Sequence, residues 1–194
     1  QCRRLNEAFL KHITRGTPFV VLKLAATLDG RVAAASGDSR WVTGTASRQY
    51  VHRLRNQVDA VLVGAGTVIA DNPRLTCRLP GGRDPRRIVL DGRLRIPLTS
   101  RLLRGRGHEK TIVVTGSRAP SAKVRRLESS GIQVWRCPLR HGGFAFRPVL
   151  TRLAKLGCLS VMIEGGGLTA ARALTEKVVD KAYFFYAPKI VGGG

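Results

Sequence analysis

Residues 159–167 read Leu159-Ser160-Val161-Met162-Ile163-Glu164-Gly165-Gly166-Gly167, and helix-forming residues follow from Leu168 onward. A short apolar run of this kind reads as a strand buried on both faces, as in a parallel sheet. It ends in three glycines and opens into a helix, so bare backbone N–H groups and the positive end of the helix dipole meet at one point. That arrangement suits a pyrophosphate, and without Cβ atoms the phosphate can approach the main chain closely. An ordinary strand-to-helix turn is the plain alternative. Glu164 at the strand's carboxyl end weighs against it, because ligands gather at that edge of α/β sheets.

Strand-like apolar runs recur at 18–25, 32–35, 60–64, 87–90, 110–114, 132–135 and 181–187. Helical spacing is found at 3–13, 45–54, 122–129, 149–156 and 169–176. In the first helix Leu5, Phe9 and Ile13 share one face, and Gly16 and Pro18 stop it. Thr45 is placed to N-cap the second. Leu28-Asp29-Gly30 is a turn, while Gly105 and Gly107 mark a surface loop. Strands alternating with helices of about 10 residues predict an α/β fold whose mostly parallel central sheet is flanked by helices. With 194 residues, no internal repeat and no low-complexity linker, one folded domain is expected.

Composition narrows the partners. The chain carries 34 Lys and Arg against 12 Asp and Glu, a formal net charge of +22. Such a charge implies anionic company: nucleic acid, an anionic membrane or phosphorylated small molecules. The basic residues are mostly arginine and dispersed, and only 6% of residues are aromatic. A single-strand binder would set aromatic platforms beside its arginines, so a phosphate-binding site is favoured over a nucleic-acid module. No run approaches the roughly 18–20 apolar residues of a membrane span, and Gln1-Cys2-Arg3-Arg4-Leu5, with no apolar run behind its charges, is not expected to act as a signal peptide. Cys2, Cys77, Cys137 and Cys158 lie apart, with no Cys-x-x-Cys and no histidine at metal spacing. Reduced cytoplasmic thiols and no metal site are expected.

Lys23 stands inside the apolar run 18–25. Lysine is rarely fully buried unless paired, so it either faces a ligand at the sheet's open edge or snorkels to solvent. Gly64-Ala65-Gly66-Thr67 invites a dinucleotide fingerprint, but the third glycine is missing and Pro73 leaves too short a helix for a crossover. Its glycines still permit close approach of a cofactor. Asp71-Asn72-Pro73-Arg74-Leu75-Thr76 joins a carboxylate to a rigid turn and a strand start. His12, His52, His108 and His141 lack a nucleophile partner pattern, and hydrolase-elbow, Walker A and kinase motifs are absent.

Taken in order, PFVVLKLAATLDGR (18–31), SGDSRWVT (36–43), residues 53–56, GAGTVIADNPRLT (64–76), RIVLD (87–91), IEGGG (163–167) and APKIVGG (187–193) form a series. The series resembles the reductase domain of bacterial riboflavin biosynthesis, 5-amino-6-(5-phosphoribosylamino)uracil reductase, over nearly the whole chain. The resemblance implies a dihydrofolate-reductase-like fold, NADPH as cofactor and a homodimer. Lys23 and Glu164 match the catalytic polar pair at the reactive ribose. Ser39, Arg55, Leu75 and Arg78, with Glu164, match substrate contacts, the arginines suiting the ribose phosphate. Ala25, Trp41, Thr67 and Asp71 match cofactor contacts. Gly166, Gly167, Leu168, Thr169, Ala170, Ala171 and Arg172 match the pyrophosphate cradle. Gly92 stands at a cofactor-binding position where relatives carry serine, which removes a side-chain contact to NADPH.

Residues 2–9 resemble the junction that follows a zinc deaminase domain in the bifunctional enzyme. The deaminase signature, His-x-Glu with Pro-Cys-x-x-Cys, is not found in the sequence. The expected division is residues 1–17 as N-terminal helix and junction, and 18–194 as a reductase domain without the family's closing strands. The implied reaction opens the ribose to an imine and delivers hydride to its anomeric carbon, giving the ribitylamino product. Whether Lys23 or Glu164 supplies the proton stays open. A reductase acting before deamination, a dihydrofolate reductase and a basic nucleic-acid-binding domain are the competing readings. The junction argues against the first, and the lack of a well-placed acidic pterin-binding residue after Ala25 against the second.

Overall fold

In the computed structural model, residues 5–30, 44–140, 143–190 and 192 are described. Seven strands build the main sheet: β1 (Phe19–Thr27), β2 (Ala60–Gly64), β3 (Arg86–Leu90), β4 (Thr111–Thr115), β5 (Gln133–Arg136), β8 (Ser160–Ile163) and β9 (Lys181–Ala187). Their order is β5-β4-β3-β2-β8-β1-β9. Each neighbouring pair is parallel, so the carboxyl ends share one edge. Two short strands, β6 (Leu139–Arg140) and β7 (Gly143–Phe144), form a separate antiparallel ribbon.

Among the described residues six α-helices accompany the strands: α1 (Glu7–Arg15), α2 (Thr45–Gln57), α3 (Ala65–Asp71), α4 (Ser121–Ser129), α5 (Phe146–Lys155) and α6 (Gly167–Thr175). Successive strand residues point to opposite faces, and here both faces are covered. Leu22, Leu62, Ile88 and Val161 pack with Phe146, Val149 and Leu153 of α5 and Ala173 of α6. Val21, Val61, Val63 and Met162 pack with Leu54 of α2, Val68 of α3 and Leu127 of α4. This two-sided burial is why the strands read as continuous apolar runs rather than alternating ones. The parallel sheet flanked by helices agrees with the expected fold class.

Several boundaries differ from the sequence expectation. Strand β1 runs on to Thr27 because β9 continues beside it, pairing Thr27 with Ala187. Gly44, not Thr45, is the N-cap of α2. Thr45 is the first helical residue, and its hydroxyl accepts a hydrogen bond from Arg48 Nη2 at 3.0 Å. Helix α5 begins at Phe146, whose N–H donates to Glu176 Oε2 at 2.7 Å. A cap delivered from 30 residues away leaves no local signature. Pro148 falls in the first turn, where its missing donor costs nothing.

Helix α1 ends as expected, with Gly16 at φ +63°. It buries none of its residues, and Phe9 and Ile13 stay 52% and 57% exposed. Ion pairs tie it to the sheet, Lys11 to Asp180 at 2.5 Å and Glu7 to Lys181. The strand expected at 32–35, together with Ser39 and Trp41, lies outside the described residues. Among those described, no helix is long and apolar enough to cross a membrane.

Candidate active site

Glu164 follows the last residue of β8, and its N–H still bonds Leu62 O of β2 at 2.9 Å. Its carboxylate is therefore fixed at the carboxyl edge of the sheet. Arg55, from the last turn of α2, grips it with both arms of the guanidinium: Nε to Oε1 at 2.7 Å and Nη2 to Oε2 at 2.8 Å. The two side chains are only 13% and 8% exposed. Arg55 Nη1 also donates to Thr76 O at 3.1 Å, tying the pair to the loop after α3. A planar fork on a carboxylate is the strongest geometry for such a pair.

Lys23 lies one residue beyond the Leu22–Ile163 pairing of β1 with β8, so it adjoins Glu164 across the sheet. Its Nζ sits 5.6 Å from the centre of the Phe185 ring. Tyr50 packs on Tyr183 and Phe185 with ring centres 6.0 and 5.8 Å apart, closing the strand edge beside Lys23. Burial pushes the Lys23 ammonium below the ordinary lysine value; Glu164 opposes that shift and Arg55 adds to it. For Glu164, burial alone would raise the carboxyl. The charge and hydrogen bonds of Arg55, then Lys23 and His52, outweigh burial and hold it below the usual carboxylate range. Burial also lowers His52, and the charges of Arg55 and Arg78 push it further.

Next to this cluster a cleft of about 380 Å³ opens between the ends of β2 and β3, the β6–β7 ribbon and the start of α6. Gly166 caps α6 from extended backbone, and its N–H donates to Thr67 Oγ1 at 3.1 Å. Of the N–H groups that follow, Thr169 already bonds Gly166 O at 3.0 Å, while those of Gly167 and Leu168 precede the first helical hydrogen bond. A Cβ on Gly166 would meet nothing nearer than Thr67 Oγ1 at 3.8 Å, whereas one on Gly165 or Gly64 would lie 2.7 Å from Thr169. Gly165 is thus required by packing, and Gly166 leaves space that a ligand can use. Arg95 and Arg172 add positive charge to the lining, and Leu90, Leu139 and Phe144 add apolar surface. This donor set fits a dinucleotide: backbone N–H groups for a pyrophosphate, arginines for a further phosphate, and apolar walls for a ring.

The structure brings Thr67, Gly92, Gly166, Gly167, Leu168, Thr169 and Arg172 together in that lining. Four expected cofactor residues stand apart from it. Ala25 sits within β1 opposite Phe185, and Asp71 is exposed at the end of α3. Ala170 is buried in the core, while Ala171 faces solvent on α6. Of the expected substrate contacts, Leu75 is buried at φ +55° and Arg78 is exposed. A methyl group at Gly92 would stand 3.0 Å from Leu139 Cδ2, so the glycine lets the ribbon close over the end of β3.

Sequence reasoning gave no site role to Asp91, Arg95, Leu139, Phe144 and His52. Asp91 is 1% exposed, accepts Ile96 N–H at 2.8 Å through Oδ2, and has no partner for Oδ1 among the described residues. The rule that ligands collect at strand carboxyl ends would have found it. Two-residue strands are too short to carry a pattern, so nothing in the sequence announced the ribbon.

Residues 18–194 match the RibD C-terminal domain family. The chain is 40% identical, over its full length and 53% of the relative, to the riboflavin biosynthesis protein RibD of Aquifex aeolicus. Acinetobacter baumannii RibD has a similar structure, with TM-score 0.83 and 34% identity over 98% of this chain and 52% of that one. A diaminohydroxyphosphoribosylaminopyrimidine deaminase/5-amino-6-(5-phosphoribosylamino)uracil reductase from Thermotoga maritima gives TM-score 0.81 and 36% identity over 99% of this chain and 51% of that one. The chain spans about half the length of the curated relatives it matches. With β1 through β9 all inside the matched residues, the chain belongs to the RibD C-terminal domain family.

Proposed function

We propose that the chain reduces 5-amino-6-(5-phosphoribosylamino)uracil to the ribitylamino product of the riboflavin pathway, with NADPH as reductant. The observation that carries this reading is the buried Arg55–Glu164 pair beside Lys23, one residue from the glycine turn that borders the cleft. The reductase activity in the name of the Thermotoga maritima relative supports the substrate class.

Bound NADPH supplies the hydride that adds to the anomeric carbon of the ring-opened ribose. The first turn of α6, with Gly166, Gly167 and Thr67, holds the pyrophosphate. Arg95 and Arg172 favour the extra phosphate of NADPH over NADH. Glu164 is held ionised at neutral pH, so its part is to stabilise positive charge developing at the substrate nitrogen. Lys23, with a weakened hold on its proton, is the donor to the ribose ring oxygen as that bond opens. Arg55 fixes the Glu164 carboxylate, and exposed Arg78, with Ser39, is left for the substrate phosphate. The same reading makes residues 1–17 a junction to a deaminase domain, and the working form a cytoplasmic homodimer.

The test is NADPH consumption with the phosphoribosylaminouracil, followed by product identification. Lys23→Met and Glu164→Gln should keep NADPH binding and lower turnover at least about a hundredfold. A folded protein that binds NADPH yet leaves this pyrimidine unreduced would overturn the reading.

A further inference from the structure

Away from the cleft, a second cavity of about 510 Å³ is lined by five arginines, Arg74, Arg87, Arg101, Arg104 and Arg106, against one acid, Asp84. None of these residues lines the cofactor cleft. The acid is already engaged, since Asp84 Oδ1 accepts Cys77 N–H at 2.7 Å. Four of the arginines are exposed, but Arg87 is 1% exposed. Its Nη2 donates to Gly107 O, and its Nε has no partner among the described residues. A buried guanidinium with an idle donor is costly unless an anion compensates it.

The wall is built rather than loose. Gly105 and Gly107 both adopt φ +79°, a conformation that bends the loop over Arg87, and a Cβ on Gly107 would stand 3.1 Å from Arg87 Nη2. The His108 ring pins that loop, reaching Gly105 O at 2.9 Å and Ser130 O at 3.0 Å. Arg101 N–H donates to Asn72 Oδ1 at 2.8 Å. Like charges gathered in this way repel one another, and a phosphoryl group meets several guanidinium forks at once. The volume matches small-molecule sites of about 300–1,000 Å³. Among the described residues no aromatic ring lines the cavity, which disfavours stacked nucleic-acid bases.

We propose that this cavity is a second anion site, taking a small phosphoryl-rich ligand of the pyrophosphate or nucleoside-polyphosphate class. It shares one stretch of backbone with the active site, because the Thr76 carbonyl that holds Arg55 belongs to the same 74–77 segment. The probe is inorganic tripolyphosphate, titrated calorimetrically at constant ionic strength into the folded protein. Arg101→Gln combined with Arg104→Gln should weaken binding at least about tenfold, while Gly166→Val in the cleft leaves this binding event in place. If the double variant fails to fold, Arg106→Gln, in the exposed loop, is expected to weaken binding in the same direction. Wild-type affinity in a folded arginine variant, or no saturable binding, overturns the proposal. So does tighter binding of a single-stranded oligonucleotide than of tripolyphosphate.

Discussion

At Glu164 each charged side chain rests on another: Arg55 grips the carboxylate at 2.7 and 2.8 Å, and Lys23 adjoins it across the sheet. Two residues further on, at Gly166, the wall is bare backbone with 3.8 Å of clearance to the nearest side chain from a would-be Cβ. The first region serves fold and chemistry with the same contacts, so a change that removes the carboxylate outright strikes both. In the second, the free protein does not use the space at Gly166. Binding there can be damaged while the fold stands.

The largest expected effect tests the first half of that contrast. Glu164→Ala leaves Arg55 as an uncompensated buried charge and should cost about 3–5 kcal/mol, read as a lower denaturant midpoint. Glu164→Gln keeps one acceptor and should lose less. A midpoint unchanged in Glu164→Ala would mean that the pair contributes nothing to the fold and that the two regions are alike.

Two neighbouring glycines sharpen the second half. Gly165→Ala drives a methyl group to 2.7 Å from Thr169 Cβ and should destabilise by about 1–3 kcal/mol. Gly166→Val gives up a favoured N-cap residue, so it should lower the melting temperature less than Gly165→Ala does, and raise the NADPH dissociation constant at least about tenfold, or about 1.4 kcal/mol. Equal melting losses in the two variants would erase the distinction between a packing glycine and a binding one.

The smallest effect is in pH. Because Glu164 is lowered in the folded state, its contribution is complete above the unfolded carboxyl value of about 4.3. It fades as pH falls through the lower folded value. That part of the acid loss should vanish in Glu164→Gln when melting is followed against pH. Lys23 acts with the same sign in a higher window: between its lowered folded value and the unfolded value of about 10.4 the unfolded chain binds more protons, so stability rises with pH there. Removing the Glu164 charge should lower Lys23 further, visible in an NMR titration of its ε-methylene. An upward move would contradict the placement of the two groups.

Much of this was legible in the sequence. The parallel sheet follows from apolar runs such as 60–64, and Lys23 and Glu164 stood out because ionisable residues interrupt or end such runs. What the sequence hid depends on contacts made at long range. The partner of Arg55 is 109 residues away, and the carboxylate that caps α5 by accepting the N–H of Phe146 belongs to Glu176, 30 residues distant. The glycine triplet could be seen, but the division between Gly165 and Gly166 is set by Thr169, which only the folded turn brings close.

The position of β1 bears on how the molecule comes into being. Phe19 pairs with Ser160 and Val21 with Lys181, while β2, β3, β4 and β5 lie side by side in chain order. During synthesis β2 to β5 can zip together as they leave the ribosome, whereas β1 waits for both of its neighbours. Its apolar residues and open backbone groups stay exposed throughout that interval. Pairings this distant make folding slow and invite aggregation. The place of Lys23 between β8 and β9 is therefore gained at a late, vulnerable step in the life of the nascent chain.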